Sequence, residues 1–188
     1  MMPYHHGDLR RAVLDAAVAA ITERGPAGLS LRDLARRAGV SHAGPVHHFG
    51  DKAGVLTALA AEGYDLLAGT LVDAEAETGE FVEVGVAYVR FAVEHRAHFE
   101  VMFRPDLYHA DDPELVAARD RAGQALARGV GSMGERAGPD ARITGVAAWS
   151  LVHGFATLWL TGALADDLTG DLETAAREVA ARLFPDDA

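Results

Sequence analysis

The sequence contains no cysteine. Disulfide frameworks, thiol nucleophiles and thiolate metal sites are therefore excluded. It also lacks an unbroken apolar run of about 20 residues, the length that a membrane-spanning helix requires. The opening residues, Met-Met-Pro-Tyr-His-His-Gly-Asp, do not follow the basic-then-apolar order of a secretory signal. A cytoplasmic location with no membrane partner is the resulting expectation. Catalytic signatures are missing as well. There is no nucleophile elbow, phosphate loop or zinc-hydrolase motif, and the Gly-rich stretch 129–138 is not followed by Lys-Ser/Thr. His95 and His98 stand three apart, but no patterned carboxylate pair accompanies them. Neither an enzyme, nor a cofactor, nor a metal centre is expected. Strand-like alternation and internal repeats are absent too, which leaves an all-α chain.

What is present is enough for one sizeable core, or for a small domain fused to a medium one: 188 residues, 49% of them hydrophobic. The net charge of −11, taken whole, argues against nonspecific nucleic-acid binding. Its distribution is uneven. Residues 1–52 carry seven Lys/Arg and five Asp/Glu, the remainder ten and 23, so a segment of net +2 precedes one of net −13. Five of the nine histidines, His5, His6, His42, His47 and His48, lie in that first segment. A DNA-facing head on an acidic body fits the asymmetry, because the body would repel DNA and fix which end approaches. A merely solubilising acidic surface fits the charge equally well.

Apolar spacing predicts a first helix over 8–24, with Leu9, Ala12, Val13, Ala16, Ala17, Ala20 and Ile21 on one stripe, stopped by Gly25-Pro26. Ser30 then opens a capping box with Asp33 three residues on, and Leu31, Leu34, Ala35 and Ala38 give the second helix its inner face. Gly39 supplies a turn and Val40 a plug beneath it. Ser41 is expected to cap a third, two-turn helix that tolerates Pro45 near its first turn and ends at Gly50-Asp51. A long helix follows from Lys52 to about Glu77. Further helices are expected over 81–95, 96–103, 113–136, 140–164 and 172–184, with a loop at 104–112.

The segment from Ser30 to Lys52, S-L-R-D-L-A-R-R-A-G-V-S-H-A-G-P-V-H-H-F-G-D-K, thus reads as helix, tight turn, helix. That is a helix-turn-helix, which lays its second helix in the major groove of DNA. The exposed face of this reading helix is expected to comprise Ser41, His42, Ala43, Gly44, Val46 and His47. His42 and His47 can donate to base edges, and Ala43 and Val46 can touch a thymine methyl. Small Ala43 and Gly44 would let the backbone approach closely. Ser30, Arg32, Arg36 and Lys52 are candidates for phosphate contacts, and Tyr4 and His5 for an N-terminal arm. Each also has a plainer role, as helix cap or solvated surface charge.

On Y-H-H-G-D-L-R, the A-A-rich helix ending E-R-G, S-L-R-D-L-A-R-R-A-G-V-S and H-H-F-G-D-K, the chain resembles the tetracycline-repressor (TetR) family of bacterial transcription regulators. Trp149 to Trp159, W-S-L-V-H-G-F-A-T-L-W, with H-R-A-H-F-E-V-M-F at 95–103, resembles the Trp-His-Gly ligand domain of one branch. The resemblance implies an all-helical homodimer with a three-helix DNA-binding head, residues 1–52, and an effector-binding and dimerisation domain, residues 53–188. The resemblance implies a phosphate contact from His48, which stands where the family uses an aromatic or His donor, packing beside Phe49 being its plainer role; the family commonly has a phosphate-touching Tyr where this chain has Val46, so that contact is missing or falls to His47.

Tyr88, Phe91, Phe99, Met102, Phe103, Trp149, His153 and Trp159 form the candidate effector-binding set, a buried His among aromatics being able to orient a ligand's polar group. Ordinary core packing is the alternative for each. The expected function is a homodimeric repressor, paired through the last two long helices and released from near-palindromic double-stranded operator DNA by a small, largely apolar effector. A helical DNA-binding dimer controlled by a protein partner or by abundance is the second reading.

Overall fold

The computed structural model describes residues 6–132, 140–164, 168 and 170–183, and side chains within 9–131, 140–164, 168 and 170–182. Among the described residues the regular structure is helical: α1 His6–Arg24, α2 Leu31–Arg37, α3 Ala43–Phe49, α4 Lys52–Thr78, α5 Phe81–Glu94, α6 Arg96–Met102, α7 Pro113–Ser132, α8 Ala141–Leu160 and α9 Leu172–Leu183. Two short 3-10 turns, Pro26–Gly28 and Pro105–Leu107, fall where the sequence predicted only breaks. Gly39 and Gly50 take positive φ at the expected turn and helix end, and Gly79 does so between α4 and α5. The expected arm residues Tyr4 and His5, and the end of the Gly-rich stretch, lie outside the described residues.

The chain divides into two compact units: residues 1–64 with 95–119, and residues 65–94 with 120–188. The first holds the helix-turn-helix. Val13, Leu14, Ala17, Ala20 and Ile21 bury the α1 stripe, and Leu34 and Ala35 bury the inner face of α2. Burying a leucine such as Leu34 contributes roughly 1.5–3 kcal/mol. α6 also packs on α1 here. Tyr64 and Tyr108 each donate a hydrogen bond of 2.8 Å to the Met102 carbonyl, satisfying the C-terminus of α6 from two sides. Phe103 meets Tyr64 and Phe99 edge-on, with ring centroids at 5.9 and 5.3 Å.

In the second unit α5 is covered nearly all round: Val84, Val86, Ala87, Tyr88, Val89, Phe91 and Ala92 are buried. Only one stripe, Glu83, Arg90 and Glu94, is polar, and α5 packs against both α8 and α9. Gly85 of α5 lies against Val152 of α8, where a Cβ would come within 3.3 Å. α8 itself is only partly covered. Ala148, Val152, Phe155 and Ala156 face inward, while Ile143, Val146, Trp149 and Leu158 are exposed. Contrary to the sequence expectation, α4 and α8 are long and apolar enough to span a membrane by length and composition. In α8 Thr, Ser, His and Gly interrupt the run, yet Ile143 to Leu164 carries no charge.

Candidate DNA interface and effector region

α3 starts one residue later than the sequence implies. His42 occupies the N-cap with helical φ and ψ of −58° and −27°, and no side chain caps the helix. Ser41 contributes its carbonyl instead, accepting from the Gly44 N–H at 3.0 Å. A side-chain cap requires extended backbone at the cap residue, which His42 does not adopt. Pro45 is the third helical residue, where an absent N–H costs nothing. Gly44 and Pro45 are buried, so Gly44 leaves the expected exposed face. A Cβ on Gly44 would lie 3.3 Å from Leu9 of α1: its smallness serves the packing of α3 on α1. Ala43, Val46 and His47, spaced i, i+3, i+4, form the exposed stripe, with His42 at its start and His48 half-buried beside it. Val46 is 51% exposed.

The cations around this stripe are mostly engaged. Ser30 caps α2 by accepting from the Asp33 N–H at 3.4 Å, but the reciprocal half of the capping box is not made. Asp33 turns its carboxylate to Arg24 at 2.7 Å, Arg37 at 2.8 Å and Arg36. Hydrogen bonds from Arg37, Arg36 and Arg24 hold Asp33 far below the usual carboxylate range. Arg37 also forks onto Glu23 at 2.6 and 2.9 Å. Arg32 is exposed and lines a surface hollow with Ser30, Arg36 and His42. Lys52, the single lysine of the sequence, donates to the Ala27 carbonyl at 2.9 Å, which leaves two of its three N–H donors. The Asp51 carboxylate accepts from the Gly54 N–H at 2.8 Å and lies 3.3 Å from His109 Nε2; the Gly54 bond is the main reason its pKa is lowered. Gly54 admits no side chain, since a Cβ there would stand 1.9 Å from the Phe49 carbonyl oxygen.

A second ionic cluster joins α1, α4 and α6. Arg11 forks onto Glu62 at 2.6 and 3.2 Å, and His98 Nε2 lies 3.0 Å from the same carboxylate. The His98 bond, then Arg11, push the Glu62 pKa down to about 2. His98 is 5% exposed, and its Nδ1 has no partner among the described residues. Reasoning from the sequence missed this cluster, although a lone Glu in the apolar run Leu56–Gly63 was a signal.

The candidate effector set divides between the two units. Phe99, Met102 and Phe103 belong to the first; Tyr88, Phe91, Trp149, His153 and Trp159 to the second. Tyr88 is the centre of the latter group. Its hydroxyl accepts from Trp149 Nε1 at 3.1 Å and lies 2.9 Å from His153 Nδ1. Indole can only donate, so the phenol oxygen is the acceptor in the Trp149 bond; burial lowers the His153 pKa, which favours a neutral ring. Trp159 instead packs on Phe155 at 5.8 Å, and Phe91 is fully buried. Tyr88 and Trp149 line a cavity with Gly85, Leu126, Val130 and Gly145 that holds about 30 Å³. That is room for about two waters, against roughly 300–1,000 Å³ for a ligand pocket. An open apolar groove of about 420 Å³ lies between α7 and α8, lined by Leu126, Ala127, Val130, Val146 and Trp149, with Arg142 beside them. Among the described residues no three metal-ligating side chains gather.

A helical chain whose helix-turn-helix turns an uncapped, small-residue stripe outward is built as a DNA-binding regulator. Family models agree. That for the bacterial regulatory proteins of the tetR family matches residues 13–59, and that for the tetracyclin repressor-like C-terminal domain matches 81–183. The chain belongs to the TetR family and is a non-enzymatic, DNA-binding transcriptional regulator. A protein of unknown function from Rhodococcus sp. RHA1 is 35% identical, with 97% of this chain and 98% of that one covered and a TM-score of 0.78. The TetR family regulator PfmR from Thermus thermophilus shares the fold at 22% identity, TM-score 0.70, covering 89% and 94%. AibR, solved with isovaleryl coenzyme A and operator DNA, does so at 22% identity, TM-score 0.63, covering 94% and 98%. No curated protein matches the chain.

Proposed function

We propose that this regulator is a homodimeric repressor that binds a near-palindromic operator and is released by a small, largely apolar ligand. The observation that carries the DNA reading is the outward stripe Ala43, Val46 and His47 on α3. His42 and His47 supply donors to base edges, Ala43 and Val46 apolar contact with thymine methyls, and Ser30, Arg32, His48 and Lys52 contacts to the backbone. Gly44 contributes by bringing α3 onto α1. The head comprises residues 1–52 and the effector and dimerisation domain 53–188, as read from the sequence. The uncovered apolar side of α8, with α9, is the surface for a second copy. Pairing there would set two reading helices roughly 34–36 Å apart, one turn of duplex. Such a protein works in the cytoplasm.

For the effector, Tyr88 and Trp149 are the polar anchors in an otherwise apolar lining, with His153 within hydrogen-bond distance of the Tyr88 hydroxyl, and these residues support placing the chain in the Trp-His-Gly branch. The cavity holds only about 30 Å³, so a ligand must widen it. An effector that favours the non-binding state by about 1–3 kcal/mol lowers operator affinity roughly 5- to 150-fold. The same small cavity favours a second reading, a DNA-binding dimer under the control of a protein partner or of abundance. Titrating the protein on duplex DNA from its neighbouring intergenic region, with and without pools of apolar carboxylates and thioesters, separates the two. Release by a pool supports the first reading; binding that no pool disturbs supports the second.

A further inference from the structure

We infer that DNA binding by this protein is proton-linked, with imidazoles of the reading helix serving as its titratable cations. The inference rests on the proposed DNA contact of α3 and adds a regulation of that same site.

The fixed positive charge near the stripe is scarce. On α2, which packs against α3, Arg36 and Arg37 are held by Asp33, and Arg37 by Glu23 as well. On α1, which also packs against α3, Arg24 pairs with Asp33, and Arg11 with Asp15 and Glu62. Arg10 and Arg32 are exposed and make no such pair among the described residues. Just past α3, Asp51 is engaged by His109, and Lys52 by the Ala27 carbonyl. His42 and His47, by contrast, stand exposed on the face that meets DNA, and His48 is next to it. Imidazole is the side chain whose charge changes between pH 5 and 8.

Duplex DNA carries one negative charge per roughly 1.7 Å of axis. That field favours the protonated ring, so the complex holds more protons than the free protein. By linkage, affinity then rises as pH falls. The His47 and His48 rings lie edge to face with centroids 5.6 Å apart. His42 and His47, with His48 beside them, are the imidazoles that this surface offers.

The test is binding of the full-length protein to two duplexes, one from the neighbouring intergenic region and one scrambled, at pH 6, 7 and 8 and fixed ionic strength. Affinity for both is expected to rise about 10- to 100-fold from pH 8 to pH 6, and the salt slope to steepen by about one to three as more counterions are released. His42→Asn with His47→Asn should flatten both trends. His42→Arg with His47→Arg should bring scrambled-duplex affinity at pH 8 towards the wild-type value at pH 6. His109→Asn, away from the stripe, should leave the pH trend in place. A flat wild-type profile, or a trend that survives in the Asn variant, overturns the inference while leaving the DNA-binding reading intact. Absence of binding to either duplex at every pH overturns that reading and the inference with it.

Discussion

Val46 on α3 and Val146 on α8 are almost equally exposed, 51% and 50%, and their surroundings give that exposure opposite meanings. Val46 is flanked on α3 by exposed His47, with exposed His42 one turn before it, so its apolar surface sits beside side chains that can bond to a nucleic acid. Val146 belongs to a helix without a charge from Ile143 to Leu164, in which Ile143 and Leu158 are uncovered too. An apolar stripe beside hydrogen-bonding imidazoles suits a duplex groove; a wholly apolar one suits another protein surface. The two regions also hold their charges differently. The first unit ties Arg24, Arg36 and Arg37 to Asp33 and Arg11 to Glu62. The second spreads its ion pairs singly, as in Arg177 with Glu83 and Arg90 with Glu173, and groups Trp149 and His153 around one phenol, Tyr88.

Substitutions can break or sharpen that contrast. Gly54→Ala should have the largest effect: its methyl meets the Phe49 carbonyl, a backbone atom. Loss of about 2–4 kcal/mol in urea unfolding and of duplex binding is expected. Val146→Arg should turn dimer into monomer in sedimentation analysis, raising the dimer dissociation constant by about a hundredfold or more, whereas Val46→Arg should leave the dimer intact. Should both variants dissociate it, the contrast fails.

Glu62→Gln should cost about 1–2 kcal/mol, since Glu62 is only partly exposed but keeps two partners. The sign follows from its depressed pKa. The ionised form contributes fully above about pH 4.5, and the contribution is lost as pH falls towards about 2. Acid unfolding followed by circular dichroism should therefore lose that component in the variant. Trp149→Phe removes one donor to Tyr88 and should cost about 0.5–1.5 kcal/mol, blunting effector release while operator binding persists. Smallest is Lys52→Ala, which should weaken all duplexes alike and reduce the salt slope by about one per subunit; an unchanged slope would remove Lys52 from the phosphate contacts.

Helix order was legible because apolar spacing and Gly/Pro stops are local signals, and Gly39 and Gly50 carry the turns they announce. The helix-turn-helix was legible for the same reason. The burial of Gly44 was not, because it depends on Leu9, 35 positions earlier in the sequence. Nor was the other half of the Ser30–Asp33 box, since three arginines compete for that carboxylate. The aromatic set was chosen by residue type, and type cannot tell that Phe99, Met102 and Phe103 join Tyr64 while Tyr88 joins Trp149 and His153. Pairing across helices is a tertiary fact; composition carries only its ingredients.

The stripe of Ala43, Val46 and His47 is the centre of this account, and Val46→Glu tests it most directly. Fluorescence anisotropy of wild type and variant on the intergenic duplex, with matched circular dichroism and mass, is the measurement. An exposed carboxylate against the groove should weaken binding at least about a hundredfold with fold and dimer unchanged; wild-type affinity in a folded dimeric variant would contradict the assignment of α3 as the reading helix.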